Sequence, residues 1–261
     1  MKPIEVDGDL VLSLASSVSG ALNDTDTPFE YYFDITKENR MLKCAKAHKR
    51  TLLHEFIEIV CCENITYLLC KHFDREMIDY MEIWLDSLHI SYDELKQPPL
   101  DCDYADDSYR DVEIFADKLQ DFFNRKALPV IADAVFPILY NDKDFLYKFN
   151  CRITEQIKKL TKSDYPNLLE GDGYLKREVI PNWLKKGVFN RDRGRCQGCG
   201  TDLSRIFTNA NAENYDHIIP LRQGGSNDPT NFQLMCEHCN KSKRDRSSDY
   251  RNTIWPYWEA D

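Results

Sequence analysis

The segment Tyr215–Asp245, "YDHIIPLRQGGSNDPTNFQLMCEHCNKSKRD", puts an Asp-His pair, a Gly-Gly turn, a CxxC knuckle and a knot of Lys and Arg into thirty-one residues. "YDHIIPL" is β-branched and apolar, as a strand requires, and Gly224-Gly225 permits the backbone angles a connecting loop often needs. The CxxC, Cys236 and Cys239, has a counterpart in Cys196 and Cys199, with thirty-six residues between the pairs. Two such knuckles supply four thiolates, the tetrahedral sulfur set that zinc favours, and a site filled this way leaves no position open for substrate. The spacing therefore predicts a structural zinc that closes a loop holding something else.

The other six cysteines, Cys44, Cys61, Cys62, Cys70, Cys102 and Cys151, are scattered through helical-looking sequence. In a chain of 261 residues whose start carries acids where a signal peptide needs bases, they read as buried thiols rather than a secreted disulfide framework. No run of eighteen apolar residues occurs, so the expectation is a cytoplasmic protein with no membrane partner.

Working back toward the N-terminus, "NRMLKCAKAHKRTLLHEFIEIVCCENITYLLCKHF" and "DDSYRDVEIFADKLQDFFNRKALPVIADAVFPILY" repeat apolar residues at three- and four-residue spacing. Pro129 and Pro137 are expected to start or kink helices. Pro166, Gly171 and Gly173 then break the pattern before a short helix leads into the first knuckle. The fold class predicted is mainly α: a helical accessory domain over 1–165, a linker over 166–181, and a small zinc-stapled domain over 182–261.

Charge divides at nearly the same place. Residues 1–181 carry 22 Lys and Arg against 34 Asp and Glu, a balance of −12, whereas residues 182–261 carry 12 against 10, or +2. An acidic chain does not coat nucleic acid along its whole surface, but binding follows local potential, and the bases cluster. Lys185, Lys186, Arg191, Arg193 and Arg195 precede the first knuckle; Lys241, Lys243, Arg244 and Arg246 follow the second. Brought together by zinc, these would line one groove against a phosphate backbone; standing alone they read rather as solvated helix faces.

Together, "RDRGRCQGCG" and "YDHIIPLRQGGSNDPTNFQLMCEHCNKSK" resemble the HNH endonuclease superfamily in its form with a four-cysteine zinc and an Asn-ending third motif. The resemblance covers roughly residues 180–246. It implies a ββα-metal unit with a first strand at Tyr215–Leu221, a second at Asn231–Met235 and a helix from Glu237 to about Arg246. It places a general base at His217, whose imidazole titrates near neutrality. Asp216 and Asn240 become hard oxygen ligands for a catalytic Mg²⁺ or Mn²⁺ that leave positions for water and phosphate. Asn240 stands where other members carry His, which favours magnesium over zinc or nickel. Asn231, the middle residue, would tie the loop and orient His217. Lys243 and Arg244, with Arg195 and Lys241, are the expected nucleic-acid contacts; nothing in the spacing of Arg205 or Arg222 demands a contact.

His238, inside a knuckle whose four cysteines already complete a tetrahedron, is expected at the surface or against phosphate, and His48, His54, His72 and His89 as ordinary core or surface residues. The terminal "TIWPYWEAD" is expected to pack back on a domain rather than stack bases. The expectation is a metal-dependent DNA endonuclease whose helical domain binds a partner such as an ATPase or regulates the nuclease, with phage defence or restriction suggested by analogy with HNH fusions. Two alternatives stay open: a zinc-stapled module that binds nucleic acid without cleaving, and an RNA-directed nuclease working only within a larger complex.

Overall fold

A computed structural model of the chain describes residues 6–37, 39–70, 74–99, 109–204 and 213–243. Arg205, Arg244, Arg246, His72, Cys102 and "TIWPYWEAD" lie outside them, as does the Cys70 side chain. The described chain is mainly helical with two small antiparallel hairpins. No helix among the described residues is long and apolar enough to cross a membrane.

Contacts divide the chain into two compact units, Met1–Asn23 with His54–Ile138, and Asp24–Leu53 with Leu139–Asp261. The first contains α1 (Gly8–Asn23), α5 (Asp74–Ser87), α6 (Tyr109–Lys126) and most of α4 (Leu52–Cys70) and α7 (Leu128–Asn141). Each helix buries one apolar stripe: Val11, Leu14, Val18 and Leu22 on α1, and Val112, Phe115, Leu119 and Phe122 on α6, recur every three or four residues. Pro129 sits in the first turn of α7, where a missing N–H costs nothing, and Pro137 lies inside the same helix. Buried His54 stacks on Phe136 at 4.1 Å and lies 3.5 Å from the Asp133 carboxylate.

The second unit contains α2 (Phe29–Tyr32), α3 (Arg40–Ala45), α8 (Lys143–Ile157), the β1–β2 hairpin (Leu169–Gly171, Tyr174–Leu175), α9 (Asn182–Arg191), the β3–β4 hairpin (Glu213–His217, Phe232–Cys236) and α10 (Glu237–Lys243). Asp142 caps α8 by accepting from the Phe145 N–H at 3.0 Å. Phe149 on that helix meets Phe29 and Phe33 at ring separations of 6.3 and 6.2 Å. Gln156 then fastens the segment after α2, accepting from the Ile35 N–H at 2.9 Å and donating to the Phe33 carbonyl at 2.8 Å.

This division differs from the sequence-based one. Residues 24–53 and α8, placed by the sequence in a helical accessory domain, build the same unit as the knuckles, and residues 166–181 contain a hairpin. The reason is long-range polar pairing: buried Asn150 donates to the Thr230 carbonyl at 3.1 Å, and Asp228 accepts from the Leu52 N–H at 2.9 Å, 176 residues away. Helical periodicity carries no trace of such contacts.

The ββα arrangement is present with shifted ends. The β3–β4 register pairs Asp216 with Gln233 and His217 with Phe232. β3 ends at His217 rather than Leu221, because Ile218 N–H turns to the Asn231 carbonyl and Pro220 leads into a 3₁₀ turn over Leu221–Gln223. α10 is described to Lys243.

The unit's second core lies beneath the hairpin. Leu184 and Val188 of α9 pack with Leu203, Phe232, Leu234 and Met235. Under them runs a buried ion pair, in which Arg191 donates to both Asp192 oxygens at 2.9 and 3.0 Å and to the Phe232 carbonyl, while Asp192 accepts from the Leu234 N–H at 2.7 Å. Arg191 was grouped with the surface bases of a groove; at 2% side-chain exposure it is instead an internal strut that holds β4 on α9.

Candidate functional site

The four knuckle cysteines come together as their spacing predicts, their Sγ atoms all within 4.8 Å of one another. Cys199 Sγ and Cys236 Sγ are 3.8 Å apart, about the edge of a sulfur tetrahedron built on zinc–sulfur bonds of about 2.3 Å. Local sequence makes the knuckles. Gly200 takes φ 73°, a left-handed turn that donates its N–H to the Cys196 carbonyl at 2.8 Å. A Cβ on Gly198 would lie 3.0 Å from Cys239 Sγ, so glycine lets the strands close. Burial pushes the Cys196 and Cys239 thiols up; at Cys199 the same burial is outweighed, chiefly by hydrogen bonds from Thr201, and its thiol falls to about 7. Four crowded sulfurs of this kind need a cation to ionise together, so the donor set fits a structural zinc.

The loop from Ile218 to Asn231 is tied from inside. Asn231, fully buried, accepts from the Ile219 N–H at 2.9 Å and donates to the Ile219 and Ser226 carbonyls at 3.0 and 2.9 Å. Gly224 has φ 88°, and a Cβ on Gly225 would fall 1.9 Å from the Ile219 carbonyl oxygen. Gly225→Ala therefore forces the loop open and is expected to destabilise the protein by roughly 3 kcal/mol, the scale of backbone strain and a broken buried network. A thermal melt checks it, and an unchanged melting temperature would show that the loop relaxes without cost.

Asp216 and His217 end β3 side by side. Asp216 Oδ2 accepts from Lys243 Nζ at 2.6 Å and from Gln233 Nε2 at 3.3 Å. Lys243 also donates to the His217 carbonyl, and its side chain is 6% exposed, so it lies inside the site rather than on a DNA-facing surface. Asn240, one turn earlier on α10, is half-buried. The Asp216 carboxylate thus already holds one cationic group, the Lys243 ammonium.

His217 is 2% exposed. Its Nε2 lies 3.1 Å from Asn227 Oδ1 and its ring 4.4 Å from Phe232. Burial pushes the imidazole down to about 4, a fall that the Asn227 hydrogen bond only partly offsets and the Arg177 guanidinium deepens. Burial thus favours the neutral, proton-accepting form, and the expectation of an imidazole that titrates near neutrality is not met.

Both residues line a cleft of about 180 Å³ whose other walls include Glu170, Tyr174, Arg177 and Arg222. Arg177 and Glu170 come from the β1–β2 hairpin region, which the sequence reads as linker; nothing in their spacing marks them. Of the expected surface contacts, Arg195 is exposed with its guanidinium donating to the Gly200 carbonyl at 3.2 Å, and Lys241 is exposed and paired with Glu237. His238 is exposed, as expected.

Residues 196–246 match the HNH endonuclease family model, a family of nucleases that act on nucleic acid. No curated protein and no solved structure matches the chain.

Proposed function

We propose that the chain is a metal-dependent endonuclease that hydrolyses phosphodiester bonds in DNA, and that residues 196–246 carry the chemistry. The observation that supports this most directly is the pairing of a cation-holding carboxylate, Asp216, with a buried imidazole, His217, on one cleft that also presents two guanidiniums.

In this reading Asp216 and Asn240 hold a Mg²⁺ or Mn²⁺ ion, whose contribution when bound is to neutralise charge developing on the phosphate oxygens. His217 takes a proton from the attacking water. Arg177 and Arg222 hold phosphates of the strand in the cleft, where guanidinium–phosphate pairing orients as well as attracts. Asn231 keeps the loop closed beneath His217. Lys243 steadies Asp216, and Arg195, Lys241 and Arg244 supply positive charge along the flanking backbone. The helical region serves as a partner-binding or regulatory module, and the biological setting is phage defence or restriction.

A rival reading, a zinc-stapled module that binds without cleaving, draws on the Lys243–Asp216 ion pair, which neutralises the carboxylate a metal would need. Purified protein incubated with supercoiled plasmid separates the two. Nicking or linearisation is expected with Mg²⁺ or Mn²⁺ and none with EDTA. Salt-sensitive plasmid binding without cutting under any ion favours the rival, and cutting confined to an RNA substrate replaces DNA as the target.

A further inference from the structure

We infer that Asn227 is a positioning residue that locks His217 in its Nε2–H tautomer and so makes Nδ1 the atom that receives the proton from water. The catalytic half of this statement rests on the nuclease reading above; the tautomer does not.

Asn227 is 1% exposed, and its own N–H and both ends of its side-chain amide are engaged. Its Nδ2 donates to two backbone carbonyls, those of Ala45 at 2.9 Å and Lys176 at 2.8 Å. Its own N–H donates to the Cys44 carbonyl at 2.7 Å. Turning the amide over would set its oxygen against two carbonyl oxygens, leaving both without donors in a buried place, so the geometry fixes which end is which. The remaining atom, Oδ1, faces His217 Nε2 at 3.1 Å. An amide oxygen can only accept, so Nε2 must carry hydrogen; the form of an imidazole that can act as a base has one such hydrogen, so in that form Nδ1 carries the lone pair.

The proton then has a defined path. As the water oxygen bonds to phosphorus, one of its protons moves to Nδ1, giving an imidazolium whose Nε2–H stays on Asn227. The P–O bond to the leaving oxygen breaks with its electron pair on that oxygen, which takes a proton from solvent, and His217 returns its proton to solvent.

Asn231 was expected to tie the loop and orient His217. Its side chain bonds within the loop, to Ile219 and Ser226, and the side-chain contact to the imidazole comes from Asn227, four positions earlier. The frame that holds Asn227 comes from Cys44 and Ala45 at the end of α3 and from Lys176 after β2, all outside the segment matched to the nuclease family. The setting of the base is thus tied to the segment between Asp24 and Leu53.

The test is ¹⁵N NMR of the histidine side chains in the full-length wild type at neutral pH, with His217 assigned by its absence from a His217→Gln variant. The expected spectrum shows a protonated-type Nε2 and an unprotonated-type Nδ1; the reverse pattern, or fast averaging of the two, overturns the assignment. Asn227→Ala is expected to mix the tautomers and lower kcat by about 10²-fold, the scale of lost general-base assistance, with KM for plasmid and zinc content unchanged. A variant cutting at the wild-type kcat overturns the positioning role. Should Asn227→Ala not fold, the wild-type spectrum decides alone. A wild type that never cuts removes the nuclease reading while the spectrum still judges the tautomer.

Discussion

Cys196→Ser is expected to strip the protein of zinc and to unfold the knuckles with β4 and α10, abolishing any cleavage as a consequence of lost structure. Structural zinc contributes about 10–16 kcal/mol of apparent binding free energy in small domains, and whole domains hold only about 5–15 kcal/mol of net stability. The effect should also be local. Cys196 and Cys236 belong to the core that includes Leu184, Val188, Phe232 and Leu234, whereas Phe29, Phe33 and Phe149 cluster elsewhere in the same unit. Elemental analysis should find about one zinc per wild-type chain and none in the variant. Hydrogen exchange should show protection lost over residues 196–204 and 232–243 and kept in α8. A variant that retains zinc and protection there would remove the staple from the account.

His217→Gln is expected to lower kcat by about 10²- to 10⁴-fold, the range for loss of a positioned general base, while zinc stays bound. Glutamine is the cleaner replacement because the structure buries this side chain. His217→Ala would leave a void beside Phe232 and strand Asn227 Oδ1 without a donor, costing about 1–3 kcal/mol for the unsatisfied acceptor alone. Alanine therefore confounds lost chemistry with lost stability, although composition alone gives no reason to expect any change in melting. Single-turnover plasmid cleavage with saturating Mg²⁺ measures the rate. A glutamine variant that cuts as fast as wild type takes the base away from His217.

Arg191 and Lys243 mark one border of what a sequence can say. Both were counted among surface bases, and both are buried against carboxylates, Asp192 and Asp216. Charge can be read residue by residue, but whether a charge faces water depends on what the chain folds over it. Asn227 and Arg177 mark another. Neither stands at a spacing that signals chemistry, since the groups they meet, Ala45, Lys176 and His217, lie up to 182 positions away.

The sequence by itself determined the features whose geometry is local. CxxC is the knuckle, because two residues between thiolates suffice to point both at one ion, and an apolar stripe at three- and four-residue spacing is the helix. Only the tertiary structure decided that residues 24–53 and α8 join the unit that holds the knuckles, that a hairpin in the supposed linker walls the cleft, and that Asn227 meets the His217 imidazole. Those outcomes depend on buried polar groups finding partners far along the chain. Burial makes such pairing obligatory, but in the unfolded chain many partners would serve, and only the packed interior selects among them.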